Sequence, residues 1–369
     1  MDPVRATYRI DVPPGEGRAR AEALALEQTA ELPRAAVGSE SARAFLGGVE
    51  SVEPAPDGAV RATIAYPAAA TAADPAQLLN VVFGNAALLD DVTLVGLDVG
   101  ASSAATLGGP RHGIDGLRAA AGVEARPLTC AALKPMGDPV EALAQRCEAL
   151  ARAGIDVIKD DHGLADFPGS PLADRLDACA AALDRAAEAT GRRALYVPNL
   201  IGSPRTLARG LERVVEGGAG AVLVAPLLAG LPAFRELARE SPVPVLAHPA
   251  WASPRVAPET LLGTLFRLFG ADAVVFPHAG GRFPFDEATC RRLADELRRP
   301  VEGIRPALPV PAGGMSLSRV AELVGFYGSD TMLLVGGTLY VDGAGLEERA
   351  RTFVRRVADA ASAGTGRPT

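Results

Sequence analysis

Lys159 closes the apolar run Ile155-Asp156-Val157-Ile158 and is followed at once by Asp160, Asp161 and His162. A lysine that ends a strand-like run beside two carboxylates is costly to bury unless it is paired or liganded. A salt bridge to Asp160 or Asp161 would satisfy it without any chemistry. The same lysine can also serve as a base, as a Schiff-base former or, after reaction with carbon dioxide, as an anionic carbamate ligand to a divalent cation. Lys134 ends a second such run, Ala131-Ala132-Leu133-Lys134-Pro135. Its plain reading is a lysine snorkelling to solvent over a rim. Two lysines that converge on one cavity would stabilise developing negative charge such as an enolate or enediolate. That chemistry is proton abstraction beside a carbonyl, or loss of a carboxylate that leaves the same anion.

Convergence depends on the elements that carry these residues. Strand-like apolar runs, each followed by a helical segment, begin at Leu128, Asp156, Ala194, Ala221, Val243, Asp272, Leu308 and Met332. Eight such units in roughly 240 residues are what a TIM barrel requires, because parallel strands need crossover helices and eight strands close the sheet. Chemistry in that fold collects where the strands end. The polar residues there are Lys134, Lys159 to His162, Asn199, His248, the stretch His278 to Arg282, and the pairs Gly313-Gly314 and Gly336-Gly337. A barrel mouth shifts the reading of Lys159 from structural pairing towards chemistry. It makes His248 a substrate contact or proton shuttle. Glycine pairs serve plain turns, but after the seventh and eighth strands they commonly expose backbone N–H groups to a phosphate. Before the barrel, strands at Thr7–Val12, Val60–Tyr66 and Val92–Val99 mix with helices at Ala19–Glu27 and Pro75–Phe83. This is the pattern of a small α+β domain, giving domains over residues 1–122 and 123–369.

The bulk composition excludes several partners. Over 369 residues the net charge is -7, and no block of Lys or Arg stands out, so a nucleic-acid partner is not expected. The start of the chain lacks a signal-like apolar stretch, and no run reaches about 18 apolar residues; the expectation is a soluble cytoplasmic protein with no membrane partner. Neither a GxGxxG after the first strand nor a GxxxxGK[ST] occurs, which removes the usual nucleotide-binding alternatives. Cys130, Cys147, Cys179 and Cys290 lie far apart, offering neither a zinc knuckle nor a disulfide framework.

Taken together, these residues resemble the large chain of ribulose-bisphosphate carboxylase and its relatives, the RuBisCO-like proteins, over nearly the whole chain. The resemblance rests on Gly109-Pro110-Arg111-His112-Gly113-Ile114, Leu133-Lys134-Pro135 and the run from Gly154 to Asp161. Phe83-Gly84-Asn85, His248, Ala312-Gly313-Gly314 and Gly336-Gly337-Thr338 follow in the right order. It implies an α/β chain, a C-terminal TIM (β/α)8 barrel preceded by a ferredoxin-like N-terminal domain. It implies that Lys159 carries a carbamate formed from carbon dioxide, and that Asp161 and His162 occupy the two carboxylate positions around Mg2+. By the same resemblance Lys134 handles protons on the enediolate. Glu27 and Asn85 are contributed by a partner subunit, so a homodimer with shared active sites is implied, without a small subunit. Magnesium prefers oxygen ligands, so the imidazole of His162 leaves three readings: Mn2+, magnesium with a water in its place, or acid/base work without metal.

Departures from the carboxylase pattern narrow the implied activity. Leu32-Pro33 stands where carboxylases have threonine and tryptophan for one phosphate. Pro249, Val275 and Ala312 replace the arginine, histidine and serine of the other; Met136 replaces the second lysine of Lys-Pro-Lys, and Arg282 the mobile-loop lysine. One phosphate can still be held by Gly313, Gly314, Gly336 and Gly337, while Arg282 suits a substrate carboxylate. The resemblance therefore implies the non-carboxylating branch, with Lys134, Lys159 and His248 catalytic. The implied substrate is a keto sugar-acid monophosphate, turned over by a decarboxylase or transcarboxylase/hydrolase of the 3-oxo-isoapionate 4-phosphate type. The alternatives are an isomerase or enolase acting on methylthio-sugar phosphates, and an inactive relative kept for binding or regulation.

Overall fold

Val4, Ala6, Tyr8 and Ile10 are buried and their neighbours only partly so, the period-two mark of a strand covered on one face. They form β1 (Val4–Ile10) of the computed structural model, which describes residues 2–71, 74–341 and 345–364. With β2 (Gly48–Pro54), β3 (Val60–Tyr66) and β4 (Val92–Asp98), β1 makes an antiparallel sheet of order β2-β3-β1-β4. The helices Gly17–Glu27 and Pro75–Phe83 complete a β-α-β-β-α-β succession, the ferredoxin-like arrangement. β2 was not foreseen: none of its seven residues is buried, so the apolar alternation that announces a strand is missing. This unit runs to Gly109 and takes in Ala252–Phe269 and Pro300–Ile304.

The second unit comprises Pro110–Trp251, Gly270–Arg299 and the chain from Arg305 onward. Its strands are β5 (Leu128–Leu133), β6 (Val157–Asp160), β7 (Leu195–Val197), β8 (Asn199–Leu200), β9 (Val222–Val224), β10 (Val245–Ala247), β11 (Ala273–Pro277), β12 (Leu308–Ala312) and β13 (Met332–Val335). All pair in parallel, in the orders β13-β5-β6-β7 and β8-β9-β10-β11-β12. β7 and β8 are two halves of one run interrupted at Pro198, so eight strand positions form an α/β barrel. Alternate residues, among them Leu128, Cys130, Val157, Leu223 and Val310, fill its interior. Between β12 and β13 the ladder lacks donors. Leu308 gives its N–H to Asp272, so the alternate amides aimed at β13 belong to Pro309 and Pro311, which have no hydrogen. The Thr331 hydroxyl instead donates to the Pro309 carbonyl at 3.0 Å.

Two buried carboxylates tie the strands together where they begin. Asp156 accepts both Arg126 Nη atoms at 2.6 and 2.7 Å, the Thr129 amide and hydroxyl at 2.8 Å each, and Arg192. Asp272 accepts the amides of His112, Gly113 and Val245 at 2.7, 2.5 and 2.8 Å. The Gly-Pro-Arg-His-Gly motif is thus a loop folded onto Asp272. Its second glycine has φ +63°, and a Cβ there would lie 2.9 Å from the Pro306 carbonyl oxygen. All four cysteines are buried and free, and burial pushes the Cys130 thiol up to about 12. Among the described residues no helix is long and apolar enough to cross a membrane.

Candidate active site

Strand phase separates the two aspartates that the sequence writes side by side. Val157 packs in the barrel interior, so Lys159, two residues on, shares its face, and Asp160 takes the opposite one. Asp160 is spent on structure: it accepts Arg175 Nε at 3.0 Å, the Tyr196 hydroxyl at 2.8 Å and the Asn199 amide at 3.1 Å. Burial nonetheless pushes its carboxyl up, against the pull of the Arg175 guanidinium. Lys159 is 2% exposed. Its Nζ donates to the Asp160 carbonyl oxygen at 2.8 Å, and burial lowers its pKa.

Lys134 extends the inward register of β5, Leu128, Cys130 and Ala132, by one more step. Its Nζ donates to Asp161 Oδ2 at 2.6 Å. The other oxygen of Asp161 lies 3.4 Å from His162 Nδ1. Burial opposes ionisation of Asp161, but the hydrogen bonds to His162 and Lys134 and the charges of both lysines outweigh it, holding the carboxyl well below its usual range. The His162 ring stacks on that of His248, with centroids 4.1 Å apart and planes within 9°. His248 Nδ1 accepts the Ala250 amide at 3.2 Å. Burial first, and then the neighbouring Lys159 and His162, lower the His248 pKa to about 2, so the ring is neutral and carries its hydrogen on Nε2. Lys134, Lys159, Asp161, His162 and His248 therefore form one cluster.

One glycine loop approaches that cluster and the other packs on the turn after β11. A Cβ on Gly336 would lie 3.5 Å from Lys134 Cε, and Gly337 opens the short turn Gly337–Tyr340. Gly313 and Gly314 have φ of +93° and +91°, values side chains rarely tolerate. The Gly313 carbonyl accepts the Arg282 amide at 2.7 Å, while the Arg282 guanidinium lies over the Phe283 ring, 5.1 Å from its centroid.

One residue was mismatched. Val275, set by the resemblance at a phosphate position, packs inside the barrel. The strand end three residues on belongs to His278, whose Nδ1 lies 2.8 Å from the Ala279 carbonyl oxygen and whose buried Nε2 has no partner among the described residues. Its place directly after β11 was the signal that pointed to it.

Glu27 and Asn85 belong to the first unit, where Asn85 Nδ2 donates to Glu27 Oε1 at 2.9 Å and both are exposed. Gln28, which the sequence did not single out, brings them together. Its amide donates to the Val81 carbonyl at 3.0 Å and accepts the Ala86 N–H at 2.7 Å.

Residues 113–259 match the family described as ribulose bisphosphate carboxylase large chain, catalytic domain. The chain is 45% identical, over 95% of its length and 96% of the other's, to ribulose bisphosphate carboxylase-like protein 1 of Rhodopseudomonas palustris. It belongs to the RuBisCO large-chain family, in the RuBisCO-like, non-carboxylating branch. Within that family it is also 41% identical, over 99% of both chains, to the 5-methylthioribulose-1-phosphate isomerase of Rhodospirillum rubrum. Several relatives at 36% identity and below are named 2,3-diketo-5-methylthiopentyl-1-phosphate enolase. Among solved RuBisCO-like folds, a Rubisco-like protein from Rhodopseudomonas palustris superposes with a TM-score of 0.91 at 41% identity, all of both chains being covered.

Proposed function

We propose that this RuBisCO-like chain is an isomerase of a methylthio-sugar phosphate, moving a proton beside a carbonyl through an enolate. The observation that carries this reading is the cluster in which Lys134 and the buried Lys159 flank Asp161 while the neutral His248 lies on His162. Burial disfavours the charged form of Lys159, leaving it ready to take a proton. The Lys134 ammonium, held by Asp161, faces the oxyanion as it forms. Protonated in that step, Lys159 returns the proton to the neighbouring carbon and is restored, while neutral His248 donates a hydrogen bond from Nε2 to the substrate. Gly313, Gly314, Gly336 and Gly337 hold the phosphate through their amides, and the unpartnered His278 Nε2 adds a polar contact at the same mouth. The relatives' names favour a methylthio-sugar phosphate over the keto sugar-acid monophosphate that the Arg282 argument pointed to.

Among the described residues no group of three or more His, Cys, Asp or Glu side chains stands ready for a metal. Asp161 and His162 supply two neighbouring donors, and a carbon dioxide adduct of Lys159, favoured by its lowered pKa, would supply the third, its carbamate oxygen then replacing the free amine as the base. That set fits a divalent ion, magnesium or, given the imidazole, manganese; bound there it would polarise the substrate carbonyl.

The homodimer belongs to the same proposal. Large apolar side chains stand exposed beside the strand ends, Trp251 at 78% and Met136 at 60%, and in the first unit Leu88, three residues from Asn85, is 82% exposed. Surfaces of this kind call for a covering partner, and a second copy would bring its Glu27 and Asn85 to the mouth.

The deciding experiment incubates the purified protein with 5-methylthioribulose 1-phosphate in deuterated water and follows proton and phosphorus NMR. An isomeric phosphate ester bearing deuterium next to the carbonyl is expected. A parallel run with 3-oxo-isoapionate 4-phosphate should release no carbon dioxide. Carbon dioxide release there, with no exchange on the methylthio sugar, would overturn the assignment.

A further inference from the structure

Next to the loop that follows Asp161 and His162 is a cavity of about 200 Å³ lined by none of the residues assigned above to the reaction. Its floor is Asn199 and Leu200 at the end of β8, one wall is the helix Pro204–Glu216, and the other includes Asp166 and Leu172. Thr206, Arg209, Gly210 and Arg213 stand on one face of that helix, at i, i+3, i+4 and i+7. Gly210 lets the helix close over the floor, since a Cβ there would lie 2.8 Å from Leu200 Cδ2.

The charges of this cavity are unbalanced. Among the described residues neither the Arg209 nor the Arg213 guanidinium has a hydrogen-bond or ion-pair partner. Like charges four residues apart on a helix repel, and an oxyanion lying between two guanidinium forks relieves that repulsion with charge-assisted hydrogen bonds. Asp166, the carboxylate of the wall, accepts the Leu172 amide at 2.7 Å through Oδ1 only. Its second oxygen, on an exposed side chain, is open to a donor, which a bare anion lacks and a hydroxyl group supplies.

The geometry points to a second binding site, for a small phosphorylated polyol, with its phosphate between Arg209 and Arg213 beside the Thr206 hydroxyl and a hydroxyl group donating to Asp166. The site is coupled to the reaction cavity through Asn199. That side chain forms part of the floor and also donates through Nδ2 to the carbonyls of His162 and Leu164, at 3.0 and 3.1 Å. An occupant that draws Asp166 towards the helix pulls on the same loop.

The test does not depend on the reaction proposed above. Glycerol 3-phosphate is titrated calorimetrically into the intact protein, the Lys134→Met variant and the Arg209→Gln/Arg213→Gln double variant. Both arginines are exposed, so their replacement should leave the fold intact. One binding event should survive Lys134→Met and weaken at least about tenfold in the double variant. Inorganic phosphate, which offers no polyol hydroxyl groups, should bind there several times more weakly. The protein has four histidines, so their ring protons can be assigned; the His162 signals should shift with added glycerol 3-phosphate in Lys134→Met and stay still in the double variant. Binding lost in Lys134→Met and untouched in the arginine variant would assign all of it to the reaction cavity and overturn the inference. So would an absence of binding at about 10 mM ligand, well above the millimolar range expected of a few charge-assisted contacts.

Discussion

Lys134 and Asp161 are joined at 2.6 Å, so removing either one alters the other. Lys134→Met strips Asp161 of one of the partners that keep it ionised and removes the ammonium that faces the developing oxyanion. We expect turnover to fall by about 10²- to 10⁴-fold, the usual weight of a positioned proton-transfer group, with deuterium exchange at the carbon next to the carbonyl lost in parallel. Normal exchange with lost isomerisation would instead make Lys134 a donor to the second carbon only. At this scale much was legible from the sequence, because Lys134, Lys159 and His248 each end or follow an apolar run. What could not be read was the division of labour between Asp160 and Asp161. The letters are identical, and only the phase of β6 sends one to Arg175 and Tyr196 and the other to Lys134. The position of His278 was legible, but its unpartnered Nε2 was not, because whether a ring nitrogen is left without a partner depends on packing that no spacing reveals.

The site works only if the elements keep their places, and Asp156 is where β6 is fastened to β5. It is inaccessible to solvent and gathers Arg126, Arg192 and Thr129. Asp156→Asn should cost about 3–5 kcal/mol, the range for breaking one side of a buried ion pair, seen as a lower urea midpoint. The sign of its pH dependence follows from its pKa. Burial raises the carboxyl, but Arg126, the Thr129 amide and Arg192 bring it below the free value of 3.8. Its stabilisation is therefore complete above about 3.8 and is lost as pH falls through the lower folded value. The gap between wild type and Asp156→Asn should stay constant from neutral pH down to about 3.8 and narrow as pH falls from there through the folded value. In the last barrel loops the controlling quantity is space. A Cβ on Gly281 would sit 2.4 Å from the Gly313 carbonyl oxygen and 2.9 Å from His278 Nε2, so Gly281→Ala must push the phosphate loop aside. KM should rise about tenfold or more with the unfolding midpoint little changed; an unchanged KM would remove this loop from the phosphate site. The eight barrel strands were readable because apolar runs recur between turns, whereas β2, with no buried face, left nothing to read.

For the whole molecule, the question is whether one chain holds a complete site. Sequence resemblance assigned Glu27 and Asn85 to a partner subunit, and in the first unit they form an exposed hydrogen-bonded pair, clamped by Gln28 and flanked by the bare side chain of Leu88. Among the described residues their side chains hydrogen-bond only to each other, and a symmetric pair of chains would give both a function at once. Asn85→Ala and Lys134→Met homodimers should each be nearly inactive, since every site in them lacks one component. If the components come from different subunits, a mixed dimer has one site carrying both lesions and one carrying neither. Random reassortment of equal amounts makes half the dimers mixed, so activity should return to about a quarter of the wild-type value. Components drawn from the same chain would leave every site with one lesion, and mixing would restore nothing. Trp251→Glu, placed at the exposed rim of the barrel strands, should shift sedimentation towards the monomer and remove this rescue, because the recovered activity exists only where two chains meet.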